Sequence, residues 1–498
     1  VVSVNRTTSL DVEMNQSVIE GQEVVIYASK FSRKKDQTST MKNISSEEID
    51  ILPVDNLGAV VNMQAGVVAG HFRGGRSDEV SYMIDGVAVN DAFGGVSAVS
   101  TLEVEAVKDL EVITGTFNAE YGNAMSGVVN AVTKNGSNEF HGSINTGYST
   151  YLTKNKKNNE AVFIGLDPFG INSNSDLRFN ISGPIIKDRI YFFSNYRKQN
   201  INGHLNGIRR FEVWNLSDFY DQDSSKWYSE NTGDSSYVPM NKGDYTSLMA
   251  KLSINLGSIK IAGMLNQNLS ISRGYNHIYK YNPDGRSYSD GNTTLLMFQL
   301  NHFLNEKMFY DLKFSNTNND YGSYVFEDYD SFNILQEDGI YQGIYHFAGD
   351  TIYNYVNDKY MTAYGTGFFT GGQDKGHLNR TTITNNLKFD FTWQITNAHN
   401  IKTGFSRTTY KLENTYHTIR NAYAGTSDES DKYKPIVLPD STVYSDIFLV
   451  KPKEMSFYIQ DKFEKDEIVI NYGLRYDAFD ANTTYPSQRR NPINSSTY

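Results

Sequence analysis

No group of reactive side chains in this sequence is spaced as a catalytic or metal centre. The nine histidines are scattered, and there is no HExxH ligand pair, no GxSxG nucleophile turn and no phosphate-binding loop. Gly365-Thr366-Gly367 lacks the third glycine and the following helix that a dinucleotide site requires. The acidic clusters Glu327-Asp328-Tyr329-Asp330 and Asp428-Glu429-Ser430-Asp431 do not complete a calcium loop and read as solvated loops. No positioned pair of carboxylates can be picked out as a glycosidase needs, so an enzyme, a surface glycosidase for example, ranks last among the readings. No metal and no cofactor are expected. What remains is charge set among glycines, at Arg73 and Asp85, and tyrosine in quantity. The stretch 318–383 holds Tyr321, Tyr324, Tyr329, Tyr341, Tyr345, Tyr353, Tyr355, Tyr360 and Tyr364. Tyrosine gives flat contact area and a hydroxyl at little entropic cost. Tyr321, Tyr324, Tyr341, Tyr345 and Tyr353 are therefore candidates for binding a sugar or a peptide. Rings that merely pack the loop onto itself are an equally good reading.

Such loops need a scaffold, and the pattern after Glu139 supplies one. In 387–394 the odd positions Leu387, Phe389, Phe391 and Trp393 alternate with Lys388, Asp390, Thr392 and Gln394. The segment 468–477 repeats the rule with Ile468, Ile470, Tyr472, Leu474 and Tyr476, as do 176–181 and 310–315. Period-two alternation puts one apolar face on each strand. About eleven such strands are expected, near 139–150, 176–183, 189–198, 246–256, 258–269, 294–304, 307–317, 384–396, 400–411, 454–464 and 467–480. Short connections alternate with long ones, at about 200–245, 270–293, 318–383 and 412–453. A transmembrane barrel has short turns on one rim and long loops on the other, whereas a propeller or sandwich spaces its turns evenly.

Composition agrees. Aromatic residues make up 13% of the 498 residues, with 35 Tyr and 28 Phe against 10 Pro. A barrel crosses a bilayer without any long apolar run, so soluble-looking mean hydropathy does not exclude it. A formal net charge of −11 argues against nucleic acid as a partner. The absence of cysteine removes disulfides and thiolate sites. Val1-Val2-Ser3-Val4 carries neither Met nor a leader, which reads as a processed or cut product.

Ahead of the strands, 41–138 mixes short helices, strands and glycines as a compact α/β unit. Ser45 and Glu48 fit a capping box before Ile49 and Ile51, and Asp55 can cap a second helix ending at Gly66. Val80–Val89, Leu110–Thr114 and Gly127–Thr133 read as strands, with Asp85-Gly86 as a positive-φ turn. Charged residues inside a lumen need partners or water, so structural pairing is the leading reading of Arg73 and Asp85. Residues 1–28 hold two alternating runs, too few to bury a core, and 29–40 is a polar linker.

Phe72-Arg73-Gly74-Gly75-Arg76 and Tyr82-Met83-Ile84-Asp85-Gly86-Val87 resemble the plug signature of TonB-dependent outer-membrane receptors. Leu110 to Gly115, Ala119-Glu120-Tyr121-Gly122 and Gly127 to Lys134 continue the resemblance in order. With Gly136 to Gly142 they look like the Oar-like, carboxypeptidase-regulatory-like subgroup of Bacteroidetes type. Phe457 to Lys462 and Gly473 to Asp477 are similar to the family's barrel strands. Where the family often has Arg-Gly-Pro this chain has Thr114-Gly115-Thr116, so any salt bridge by that arginine is not carried over.

The resemblance implies a β fold: a large antiparallel transmembrane β-barrel of the 22-stranded type, half of it present, with an α/β plug in the lumen. Residues 1–22 would end a carboxypeptidase-regulatory-like β-sandwich, 23–40 would hold the TonB box and linker, 41–138 the plug and 139–498 the first half of the barrel. Arg73, Gly74, Asp85, Gly86, Gly115, Tyr121 and Gly122 carry the plug motif. Glu23, Val24, Val25, Ile26, Tyr27 and Ala28 stand where the family places its TonB box, with Tyr27 in place of the usual Thr. An extended segment of that kind can add a strand to a partner's sheet edge and transmit a pull; the last strand of the preceding domain is the alternative. The implied function is active import of a nutrient across the bacterial outer membrane, with plug and N-terminus facing the periplasm. The alternative is a receptor-fold structural subunit docking other proteins. Partners would be a TonB-type periplasmic energy-coupling protein, outer-membrane lipid, and a surface lipoprotein or other outer-membrane subunits. An eleven-strand sheet would leave two edges open in lipid, so the natural protein is expected to continue past Tyr498, and the polar 483–498 to begin a loop.

Overall fold

The computed structural model describes residues 40–498, apart from 55, 94–101, 152–162, 167–173, 328–344, 348–349, 353–354, 363–366, 466–467, 489–490 and 498; for 345–352 and 485–497 it describes the backbone alone. The strands read in 1–28, the domain 1–22 and Glu23 to Ala28 therefore lie outside the described residues, as does Asp55.

The plug opens with β1 (Met41–Ser45) and α1 (Ser46–Asp50). The expected capping box is present: Glu48 N–H donates to Ser45 Oγ at 3.3 Å, and Ser45 N–H to Glu48 Oε2 at 3.3 Å. Asn56 caps α2 (Leu57–Asn62), its Oδ1 accepting from Ala59 N–H at 2.8 Å. The helix ends at Asn62, and Gly66 turns the chain in left-handed backbone (φ 84°).

Strands β2 (Val80–Ile84), β3 (Val87–Ala88), β4 (Val107–Ile113) and β5 (Gly127–Thr133) complete a five-stranded sheet in the order β1-β4-β5-β2-β3. Its alternating apolar residues bury against the helices, with Val60 of α2, Phe72, Ile84, Leu110 and Val129 all at 0% exposure. The same core extends into the barrel wall through Phe193, Met249, Met264, Leu295 and Met297. Methionine fills the irregular gap between two independently curved surfaces.

The wall is one antiparallel sheet. It comprises β6 (His141–Ser149), β7 (Asn174–Ile186), β8 (Ile190–Ile201), β9 (Lys242–Leu256), β10 (Ile259–Arg273), β11 (Tyr288–Asn305), β12 (Met308–Tyr324), β13 (Gly376–Gln394), β14 (His399–Thr418), β15 (Ser445–Val450), β16 (Lys453–Lys465) and β17 (Ile468–Asp480). The order is β17-β16-β14-β13-β12-β11-β10-β9-β8-β7-β6, with β15 paired to β14. Each of the eleven expected strands is there, and β15 is a short addition. Strands β6 and β17 stand at the two edges, and no ladder joins them among the described residues.

The alternation becomes two environments. On the outer face Leu252, Leu296, Phe298, Phe314, Leu387, Phe457, Leu474 and Tyr476 are exposed, as lipid-facing residues must be. On the inner face Lys251, Asp311, Asp390 and Lys402 are buried against the plug.

Strands run further than the sequence pattern indicates. β13 has 19 residues and β14 has 20, where about 9–11 tilted residues span a bilayer. The long connections shrink accordingly to 202–241, 274–287, 325–375 and 419–452. Tyr321 and Tyr324 are thus strand residues rather than loop residues. Asn318, Asn319 and Asp320 break the apolar alternation but keep their ladder bonds to β13, because beyond the hydrocarbon layer a strand needs no greasy face. The polar tail also differs from the expected loop: Thr484–Gln488 pairs with Asn491–Thr497, with a register irregularity next to Pro486.

A plug clamped to the barrel wall

The Asp85-Gly86 turn is the centre of the contact between plug and wall. Both residues have positive φ, 48° and 79°, and Ile84 pairs with Val87 across them. This is the two-residue hairpin turn that Asp-Gly favours. The turn presents two carbonyls and one carboxylate to the wall, and three lysines meet them. Lys251 Nζ, from β9, lies 2.9 Å from Asp85 Oδ2 and 2.6 Å from Thr133 Oγ1. Lys313, from β12, donates to the Asp85 carbonyl at 2.8 Å, and Lys388, from β13, to the Gly86 carbonyl at 3.2 Å.

Within the plug, Thr133 secures the same carboxylate through its N–H at 3.0 Å and its hydroxyl at 2.6 Å. Asn130 Oδ1 accepts from Gly86 N–H at 2.9 Å. Burial pushes the Asp85 carboxyl up, but Lys251 and the Thr133 donors outweigh it and hold the group below the usual carboxylate range. A Cβ on Gly86 would stand 3.0 Å from Lys313 Nζ, so the glycine serves both the turn and the close approach of the lysine.

Two further groups of contacts are built around ion pairs of the same polarity, plug anion to wall cation. Glu103 precedes, and Glu105 lies within, the short helical turn Val104–Ala106 before β4. Arg197 reaches Glu103 at 2.9 Å and Arg178 reaches Glu105 at 2.8 Å. Both arginines share Asp176 on the wall, at 2.7 and 2.8 Å. Lys402 pairs closely with Glu120. Beside it Arg475 donates to the Ala119 and Glu120 carbonyls at 3.2 and 3.3 Å, and Asn123 to Glu454 at 2.6 Å. A side chain on Gly122 would run into the Arg475 guanidinium. Contacts from β7 to β17 therefore converge on a single plug, and the sheet wraps around it.

The remaining motif residues are local. Arg73 (φ 47°) and Gly74 (φ 82°) form a left-handed turn after His71–Phe72. Arg73 is exposed, unlike the buried Asp85, and its guanidinium lies against Gly115, 2.7 Å from where a Cβ would stand. The expectation that both charges sit paired in the lumen thus holds for Asp85 and not in the same way for Arg73. Tyr121 packs on Met83, Ile113 and Val128 inside the plug.

Among the described residues, two sizeable cavities lie between plug and wall. One, of about 750 Å3, lies over the 119–123 segment and is lined by Lys388, Tyr410, Glu454, Tyr458 and Arg475 among others. The other, of about 810 Å3, lies toward the long-loop rim between Phe93, Arg197, Tyr245, Tyr321 and Arg380. Phe93 lines both; its ring is covered by the Arg380 guanidinium at 5.0 Å and neighbours Phe448 at 6.0 Å.

Of the tyrosine candidates, Tyr321 lines the second cavity. Tyr324 does not: it is buried, stacked on His377 at 4.9 Å and edge-on to Tyr288 at 5.2 Å. Tyr355 and Tyr360 pack into loop cores with Phe326, Tyr433, Val213 and Trp214, the self-packing alternative. Tyr341 and Tyr353 lie outside the described residues, and Tyr345 is described in backbone only, in a short strand Tyr345–Phe347. Sequence reasoning missed Lys251, Lys313, Lys388, Arg197 and Phe93. A signal existed for Lys313 and Lys388, as charged residues on the non-apolar side of alternating strands.

Residues 33–128 match the model for the TonB-dependent Receptor Plug Domain. The TonB-dependent transporter Oar of Myxococcus xanthus is 35% identical over 144 residues, which cover 28% of this chain and 12% of that protein. The outer membrane transporter YddB from Escherichia coli superposes with a TM-score of 0.55 at 13% identity, covering 88% of this chain and 56% of that one. The ferric citrate transporter FecA in its unliganded form gives 0.56 at 12% identity, covering 89% and 57%. At such identities the structural likeness establishes the fold. The chain spans little more than half the length of the structures it matches.

Proposed function

We propose, from the premise that this chain carries the plug and the barrel wall of the TonB-dependent receptor family, that it imports a nutrient actively across the outer membrane. The relatives named above are transporters, and they support the outer membrane as its location and a role other than catalysis. The observation that carries the reading is the clamp: a folded plug held in the lumen by Asp85, Glu103, Glu105 and Glu120 on wall cations. A plug so held blocks diffusion, and passage requires work to displace it.

In this reading that work arrives through Glu23 to Ala28, which act as the TonB box facing the periplasm, and a TonB-type protein pairs with them as an added strand. The long loops face outward and select the cargo. Whole-cell uptake tests it: deletion of 23–28 abolishes import while surface binding persists. Undiminished import by the deletion variant, or in cells lacking the coupling protein, overturns it, and such a result would favour a structural subunit of an outer-membrane complex.

A further inference from the structure

We infer that the cargo of the rim-side cavity is a neutral oligosaccharide; the inference rests on the importer reading and adds the chemical class that it leaves open. The cavity measures about 810 Å3, inside the range of about 300–1,000 Å3 usual for small-molecule sites. Its lining sets three carboxylates, Asp91, Glu103 and Asp320, against two arginines, Arg197 and Arg380. Arg197 is held by Glu103 and Asp176. Arg380 donates to Asn414 at 2.8 Å and lies over Phe93. Asp320 accepts from Thr381 at 2.8 Å and from Asn318 at 2.9 Å. An anionic chelate would call for surplus cations to meet it, whereas the carboxylates of this lining outnumber its arginines.

What the lining offers instead is neutral hydrogen bonding beside aromatic faces. Gln199, Thr246, Ser247 and Thr382 contribute amide and hydroxyl groups, and Tyr245 and Tyr321 contribute rings. The Ser247 hydroxyl is buried and meets no hydrogen-bond partner among the described residues. Amides and hydroxyls both donate and accept, as sugar hydroxyls do, and a pyranose has an apolar C–H face that lies flat on an aromatic ring.

A second feature, at the tip of the 202–241 loop, fits the same ligand. Tyr220, Trp227 and Tyr228 are 68%, 49% and 47% exposed. The Trp227 ring is fixed in place, its Nε1–H donating to the Asp221 carbonyl at 2.8 Å and Phe219 meeting it edge-on at 6.0 Å. Asp218 and Asp223, close by in the same tip, keep acceptor capacity beyond the turn bonds they make at 2.9 and 3.0 Å. Rigid exposed rings flanked by carboxylate acceptors form a stacking platform for sugar rings outside the cavity.

The test uses the purified full chain in detergent. Gluco-, xylo- and manno-oligosaccharides of two to six units are titrated by calorimetry and tryptophan fluorescence, beside a ferric catecholate, a ferric hydroxamate and short peptides. One saccharide series is expected to saturate, with little dependence on salt. Affinity should fall about tenfold, roughly 1.4 kcal/mol, in Gln199→Ala and in Tyr321→Ala. Protease resistance should stay at the wild-type level in both. Trp227→Ala should weaken only the longer oligomers. Saturable binding of a chelate or a peptide in place of the sugars, or no saturable binding of any saccharide, overturns the inference. Saccharide binding without energy-dependent uptake would remove the importer reading and leave this one standing.

Discussion

Lys251 of the wall and Asp85 of the plug, 166 residues apart in sequence, meet at 2.9 Å with side chains 4% and 6% exposed. Breaking a buried pair by removing one partner leaves an uncompensated charge and costs about 3–5 kcal/mol. Asp85→Ala and Lys251→Ala should each loosen the plug by an amount of that order. The double change to Asn and Met should recover much of the loss, since no lone charge then stays buried. Denaturant titration followed by limited proteolysis of the plug measures it; additive losses in the double variant would show that the two do not act as a pair.

Gly86 carries a separate expectation. Its φ of 79° is strained for any residue with a Cβ, and that Cβ would stand 3.0 Å from Lys313 Nζ. Gly86→Ala should cost about 1–2 kcal/mol from backbone strain alone. Lys313→Met in the same chain should relieve only the contact and not the strain. Thermal unfolding of the single and double variants distinguishes the contributions, and a Gly86→Ala variant of undiminished stability would mean that the turn adapts.

The strands of the wall were legible because lipid and plug impose opposite requirements on alternate residues, as Leu387 and Lys388 illustrate. The Asp85-Gly86 turn was legible because its two residue types tolerate positive φ. The partner of Asp85 was not. Lys251 follows from the register of β9 against a plug more than a hundred residues earlier, and nothing local marks it apart from other wall lysines. Tyr321 and Tyr324 illustrate the limit within one strand: three residues apart, one lines a cavity and the other is buried on His377. Loop ends were misjudged because ladder bonds persist past the membrane, where the apolar signal stops.

Lys375 should make the packing of the long loops around it pH-sensitive. It donates to the Val356 carbonyl and to Tyr433 Oη at 3.2 Å, lies over the Tyr355 and Tyr433 rings at 5.5 and 5.0 Å, and stands 3.8 Å from Asp358. Burial pulls its ammonium down to about 8, with Asp358 opposing only in part. Between that value and the ordinary lysine range near 10.4 the unfolded loop binds more protons than the folded one, so packing of these loops strengthens as pH rises through this window. Hydrogen exchange of segment 367–378 should slow from pH 8 to pH 10 once corrected for the intrinsic rate. Lys375→Met should remove the trend. A corrected rate that is flat in the wild type would show that Asp358 compensates the burial.

The 119–123 segment carries the prediction closest to transport. On this side the plug meets β14, β16 and β17 through one ion pair, two bonds to its carbonyls and one amide contact, next to a cavity of about 750 Å3. On the other side the Asp85 clamp and the Arg178 and Arg197 pairs are denser in charge. A pull on the plug should therefore free the 119–123 side first and widen the space already there. The chain has no cysteine, so Asn123→Cys with Glu454→Cys introduces one unambiguous pair, at side chains 2.6 Å apart. Joined by a short thiol cross-linker, the pair should halt uptake in whole cells while leaving surface binding intact, and a reducible linker should restore uptake on reduction. The same linker across Ser143→Cys and Asn180→Cys, neighbours within the wall at 2.6 Å, should have no effect. Uptake that continues through the cross-linked 123–454 pair would place the moving part of the plug elsewhere.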